Sequence, residues 1–295
     1  MLTGHNGNGS TCTEFTLLVA RGTDSESCSE LFVKSKEGSM WLVALGVQGA
    51  AWTFGAAPLL AGLAAWRRAD DARHWAAEIT ATGVAGAVLV LGPAAVALLA
   101  PIGSPLNNHS WRMTAITGLG AVTAAAGFAN LAVLDLSARR MRVQLKRRET
   151  TAGMGVAAEY LQLRRRLDAL LVLLAALVTI AVLCAGLLMR AMQANVDPVR
   201  YSPALMWPYA LYLVGVLALV YVPTHLRLLA VGEEMRDSRF PACLPGEPGY
   251  DEAVKHRHEM DDLLGLEEGP TAKLKSSLVI LSPLLGSFVA TVLGT

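Results

Sequence analysis

Long apolar segments alternate with charged segments along this chain. Six segments contain no Asp, Glu, Lys or Arg, and they cover residues 38–66, 79–111, 113–134, 169–189, 201–226 and 276–295. A helix needs about 20 mainly apolar residues to cross the hydrocarbon core of a bilayer, and each segment reaches that length. The pattern predicts an all-α fold, a polytopic transmembrane helix bundle with about six spans.

A soluble helical protein rich in alanine is the alternative to a membrane protein. Apolar residues make up 53% of the 295 residues, and charged residues make up 17%. The surface helices of a soluble protein carry one polar face. Because the six uncharged segments offer no such face, we favour the membrane protein.

The apolar segments divide the chain into four regions. Residues 1–39 are polar and rich in Gly, Ser and Thr, and we expect them to be disordered, with Met40 as an alternative translation start. Residues 40–223 form a five-span membrane domain that includes a basic loop at 137–167. Residues 224–275 form a polar cytoplasmic loop. Residues 276–295 form a C-terminal hydrophobic helix and the expected sixth span, although Pro283 within it leaves five spans as an alternative.

Basic residues are distributed unequally between the two sides of this topology. The loops at 67–75, 137–167 and 224–275 contain 19 Lys and Arg residues, and the opposite side contains 6. Cytoplasmic loops of membrane proteins are enriched in Lys and Arg. We therefore expect both termini to be extracytoplasmic. The abundance of Ala and the excess of Arg over Lys are typical of a high-GC bacterium, which indicates the inner (cell) membrane.

The loop between the third and fourth spans contains the most basic residues. We predict that it forms two helical cytoplasmic extensions, hinged at residues 151–155. Its basic residues are expected to fix the topology and to contact anionic lipid headgroups, and a specific regulatory lipid site is the alternative. Nucleic-acid binding is not expected, because the loop contains one aromatic residue and no recognisable nucleic-acid-binding motif. The nine basic residues are Arg139, Arg140, Arg142, Lys146, Arg147, Arg148, Arg164, Arg165 and Arg166.

Few polar side chains lie deep in the apolar segments. Gln48 and Asn130 are expected to hydrogen-bond to neighbouring helices. Glu78 and Asp135 lie near the cytoplasmic ends of their spans, and Asp135 is placed to pair with Arg139 one helical turn later. A shared ion or proton site of the two carboxylates would require the second and third spans to approach each other.

Small residues recur at every fourth position of the last apolar segment. Such a line lets two helix backbones approach closely. We predict that this helix packs against a partner, either within the chain or in an oligomer. The residues of the line are Ser282, Gly286, Ala290 and Gly294.

Motifs of known enzymes and cofactor sites are missing from the sequence. It contains no G-x-S-x-G, H-E-x-x-H, G-x-x-x-x-G-K or C-x-x-C motif, and His258 with Asp262 would need further ligands to bind a metal. We expect no cofactor, and we predict a non-catalytic structural or regulatory membrane component. Its expected partners are the lipid bilayer and a second copy or another membrane protein.

Two other functions remain open at this stage. A small-molecule or ion transport protein would be favoured by an internal repeat between the two halves of the chain. A membrane-embedded lipid-modifying enzyme would be favoured by clustered His, Asp or Glu side chains at the membrane interface.

Overall fold

The computed structural model of the protein contains six α-helices. It describes residues 34–67, 72–99, 110–147, 154–195, 206–241 and 249–266, together with Val279, Leu281, Ser282 and Leu284. Residues 1–33 of the N-terminal segment and the packing residues Gly286, Ala290 and Gly294 lie outside the described residues. The helices are α1 (Lys36–Arg67), α2 (Ala72–Leu99), α3 (Ser110–Arg147), α4 (Met154–Asn195), α5 (Met206–Arg239) and α6 (Tyr250–Leu264).

Four of the helices, α1, α3, α4 and α5, are long and apolar enough to cross a membrane. Helix α2 contains a shorter apolar stretch, Trp75–Val90. Large apolar side chains point away from the bundle on several helices, and Val43, Phe54 and Leu219 are each more than two thirds exposed. Exposed apolar faces of this kind suit lipid rather than water. The predicted all-α class is confirmed, and the four long helices support the predicted membrane class.

Helices α3 and α4 are longer than a bilayer requires. They contain 38 and 42 residues, which correspond to lengths of about 57 and 63 Å at 1.5 Å per residue. The hydrocarbon core is about 30 Å thick. Both helices therefore continue into the basic segment between them, one as far as Arg147 and the other from Met154. Helix α5 likewise passes through Pro223 and continues to Arg239, so the expected domain boundary at residue 223 falls inside a helix.

Helix α3 lies at the centre of the bundle. Helix α1 packs against α3 and α4, α2 packs against α3, and α5 packs against α3 and α4. The start of α1 meets the end of α4, where Trp41 contacts Ala191 and Met192. At the other end, Ile79 near the start of α2 packs against Leu136 late in α3. The helices therefore run alternately up and down, and the charged parts of α2, α3, α4 and α5 gather at one end.

Glycines allow α2 to approach α3 closely. A Cβ atom on Gly83 would lie 2.9 Å from the carbonyl oxygen of Ala125, and one on Gly86 would lie 2.1 Å from the Phe128 ring. Contacts between small residues stabilise helix pairs in membranes, where apolar side chains gain nothing from leaving water. This register brings the start of α2 to the charged end of α3.

Candidate functional site

Charged side chains at one end of the bundle form a network that joins α2, α3, α4, α5 and α6. We call it the charged layer. It extends over about two turns of α3 and about three turns of α5, and it includes the contacts that attach α6. Its members are Glu78, Asp135, Arg139, Arg142, Arg164, Arg227, Glu234, Arg236, Asp237, Arg257 and Asp261.

Asp135 is a largely buried acid of this layer, with a side chain that is 13% exposed. Its carboxylate lies 2.8 Å from Nη2 of Arg139, which confirms the predicted pair within α3. It also accepts hydrogen bonds from Arg227 of α5. Arg139 in turn lies 3.9 Å from Glu78 of α2. Helices α2 and α3 do approach each other, but Arg139 contacts both carboxylates, which disfavours a shared ion site.

Two more basic residues of α3 contact neighbouring helices. Nη2 of Arg142 lies 2.5 Å from Oε1 of Glu234 on α5. Oε2 of Glu234 is buried and has no hydrogen-bond partner among the described residues. The guanidinium of Arg140 lies 5.8 Å from the centre of the Trp75 ring on α2, within the range of a cation–π interaction. These contacts tie the basic end of α3 to both adjacent helices.

The C-terminus of α6 is attached to α4 through one arginine. Gly265 has φ +65° and ends the helix, and the amide of Leu266 donates to the carbonyl of Asp261. Nη1 of Arg164 donates to the carbonyl of Leu264 at 2.6 Å and also to that of Gly265. A cation is favoured here, because the last carbonyls of a helix lack partners and carry the negative end of its dipole.

Ion pairs and apolar contacts attach α6 to α5. Nη1 of Arg236 lies 3.1 Å from Oδ1 of Asp261. Arg257 lies 2.7 Å from Asp237 and donates to the carbonyl of Phe240 at 2.5 Å. The buried side chains of Met260 and Leu264 belong to the same apolar cluster as Tyr160, Leu228 and Met235. Helix α6 is thus part of the core that the long helices share.

The nine basic residues predicted to contact lipid have different surroundings. Arg139, Arg142 and Arg164 bind acceptors inside the protein, and Arg140 stacks on Trp75. Arg165 and Arg166 are exposed on α4. The side chains of Lys146, Arg147 and Arg148 lie outside the described residues.

The partners of α3 on α5, Arg227 and Glu234, were not among the residues predicted to function. A sequence signal for them exists. Asp135 and Arg142 are seven residues apart on α3, and Arg227 and Glu234 are seven residues apart on α5. Residues seven apart share a helix face. The face of α3 carries an acid and then a base, and the face of α5 carries a base and then an acid. Two helices that run in the same direction can therefore pair at both positions.

The remaining candidates from the sequence lie apart from this network. Ser282, the first member of the small-residue line, has its hydroxyl 3.0 Å from that of Thr179 on α4. His258 and Asp262 lie on α6, where the neighbouring His256 lies 3.2 Å from Glu259 and stacks on Phe240. Within the described part of the chain, no group of three or more His, Cys, Asp or Glu side chains could hold a metal ion.

Comparison of the chain with known protein families, curated proteins and solved structures finds no match. Function is therefore inferred from the contacts above. They describe a layer in which acids and bases neutralise each other, with two arginines exposed beside it.

Proposed function

We propose that the chain is a non-catalytic structural or regulatory component of a bacterial cell membrane. It crosses the bilayer about six times, keeps both termini outside and places the charged layer in the cytoplasm. The observation that carries the proposal is the attachment of α6 to α4 and α5 through Arg164, Arg236 and Arg257. These contacts hold α6 and the charged parts of α4 and α5 together in one ordered unit outside the apolar spans. Such a unit suits a surface that binds other molecules without catalysing a reaction.

The orientation rests on the unequal distribution of charge. The end of the bundle that holds the charged layer belongs to the loops with 19 of the 25 basic residues. Such an excess is typical of the cytoplasmic side. A sixth span at 276–295 is supported by the contact of Ser282 with Thr179 and by Val279 and Leu284, which pack against apolar clusters of the bundle.

Anionic lipid headgroups are the partners that we propose for the exposed arginines. Arg165 and Arg166 lie on the cytoplasmic extension of α4, next to Arg164. Each basic residue near an anionic surface contributes about 1 kcal/mol to binding, or about a fivefold preference for a charged lipid. A second copy or another membrane protein is the further partner that we propose for the exposed apolar faces of the bundle.

Spin-labelled lipids test the proposed lipid contact. In membranes containing the full-length protein, spin-labelled phosphatidylglycerol is expected to be enriched around the protein relative to phosphatidylcholine. The double variant R165Q/R166Q should lower this preference severalfold, because it removes the two exposed charges. The control K255Q removes an exposed charge that lies 4.0 Å from Glu259 on α6, and it should leave the preference unchanged. An equal preference in R165Q/R166Q and the unsubstituted protein would contradict the proposal.

A further inference from the structure

A cavity of about 200 Å³ lies inside the helix bundle, in the half away from the charged layer. Helices α1, α3, α4 and α5 supply most of its wall. The wall is mainly apolar and includes four aromatic rings, those of Trp41, Trp52, Phe128 and Tyr209. An apolar cavity of about 150 Å³ is known to bind benzene. This cavity therefore has room for a substituted aromatic ring.

Fixed contacts hold one wall of the cavity in place. Gly120 leaves room for the Trp52 ring, because a Cβ atom at Gly120 would lie 2.3 Å from that ring. Thr123 donates a hydrogen bond to Leu119 at 2.8 Å and also lies 3.4 Å from the carbonyl of Trp52. Trp41 is fully buried. The aromatic wall is thus formed by the packing of the helices themselves.

Gln48 is the polar group that distinguishes this cavity. Its side chain is 7% exposed and lines the cavity, and its amide has no hydrogen-bond partner among the residues that the structure describes. Asn130, the other deep amide, donates to the carbonyls of Leu59 at 2.9 Å and Ala126 at 2.7 Å. The amide of Gln48 is therefore open to a molecule in the cavity, and a hydrogen bond left unmade in such surroundings is costly.

We propose that the cavity binds a small aromatic molecule that carries a hydroxyl or carbonyl group. The ring packs among the aromatic side chains, and the oxygen forms a hydrogen bond with the amide of Gln48, which offers two donors and one acceptor. A lipid acyl chain would fill the space but leave Gln48 unsatisfied. A water molecule needs two to four polar partners, which a largely apolar wall does not favour.

Two brominated probes test the proposal on the full-length protein in phosphatidylcholine nanodiscs. 4-Bromophenol and bromobenzene share a ring and a bromine atom, which quenches tryptophan fluorescence on contact, and they differ by one hydroxyl group. The variant A181L places three further carbon atoms in the cavity wall and provides the baseline for probes dissolved in the bilayer. We expect saturable quenching by 4-bromophenol that A181L abolishes, and an affinity for bromobenzene about tenfold lower.

Substitution of the two amides distinguishes an effect at the cavity from a general effect on helix packing. Q48L keeps the side chain nearly the same size and should weaken 4-bromophenol binding about tenfold while leaving bromobenzene unaffected. N130L removes an amide outside the cavity and should change neither affinity.

Three results would overturn the proposal. Quenching in the unsubstituted protein that is no stronger than in A181L would show that the cavity binds neither probe. Equal affinity for the two probes would assign the cavity to a purely apolar occupant such as an acyl chain. An equal loss of affinity for both probes in Q48L would exclude a hydrogen bond from Gln48. If Q48L does not fold, the comparison of the two probes on the unsubstituted protein still tests whether the hydroxyl group contributes to binding.

Discussion

Gln48 and Asn130 are two amides of the bundle with different surroundings, since Gln48 is buried and lines the cavity, whereas Asn130 is partly buried. Asn130 bonds across the helix interface to the carbonyl of Leu59. Hydrogen bonds between membrane helices contribute about 0.6 to 2 kcal/mol. We predict that N130L lowers the free energy of unfolding by about 1 kcal/mol and that Q48L, measured without any ligand, raises it by a similar amount. Unfolding in mixed micelles with increasing dodecyl sulfate measures both, and changes of the same sign would contradict this assignment.

The sequence cannot distinguish these two residues. Both are amides in uncharged segments, and both were expected to bond to neighbouring helices. Asn130 meets an acceptor because Gly62 leaves space beside it, where a Cβ atom would lie 2.8 Å from Oδ1. Gln48 faces the cavity instead. The difference depends on how α1 and α3 align, and the local sequence does not encode that alignment.

At the scale of helix pairs, the contact of α2 with α3 depends on Gly86. A methyl group at this position would overlap the buried Phe128 ring. We predict that G86A lowers the free energy of unfolding by about 1 to 3 kcal/mol, the range for overpacked cores. Gly46 on α1 provides the control, because a Cβ atom there would have no atom of the described residues within 4 Å. G46A should be neutral or stabilising, because alanine favours helix by up to about 1 kcal/mol.

The attachment of α6 gives a second prediction at this scale. R164Q removes the cation that binds the carbonyls of Leu264 and Gly265. A hydrogen bond from a charged group contributes about 1.5 to 3 kcal/mol. We expect amide hydrogen exchange across Tyr250–Leu264 to become at least about tenfold faster in R164Q. The neighbouring variant R165Q should leave exchange in α6 unchanged, because Arg165 is exposed. Faster exchange in both variants would indicate a general effect of charge.

These contacts show why one cluster of basic residues contains two kinds of side chain. Arg164 and Arg165 are adjacent in an uninterrupted run of arginines, and composition gives them the same expected role. On α4 they point in directions about 100° apart. One therefore reaches α6, whereas the other faces outward. The helical extension itself was predictable from the sequence, but its acceptor, the end of a helix 100 residues later, was not.

For the whole molecule, the sequence predicts the helices better than their arrangement. A helix that crosses the bilayer needs a long segment without charges. Such segments are visible in the sequence, and they predict α1, α3, α4 and α5. They do not predict the packing order, because lipid-facing and buried surfaces are both apolar in a membrane helix. Phe54, for example, is 79% exposed and Leu59 is 3% exposed, although both are large apolar residues of α1. The central position of α3 depends on glycine contacts and ion pairs between distant parts of the chain.

The orientation of the whole molecule can be measured with reporter fusions. We predict that fusions after residues 70, 150 and 250 report the cytoplasm and that fusions after residues 105, 197 and 295 report the opposite side. The fusions after residues 150 and 250 should agree, because Arg164 and Arg236 attach α6 to the first part of α4 and the last part of α5. A reporter that places 150 and 250 on opposite sides would contradict that attachment. A cytoplasmic signal at 295 would reduce the protein to five spans, and one at 105 would contradict the proposed topology as a whole.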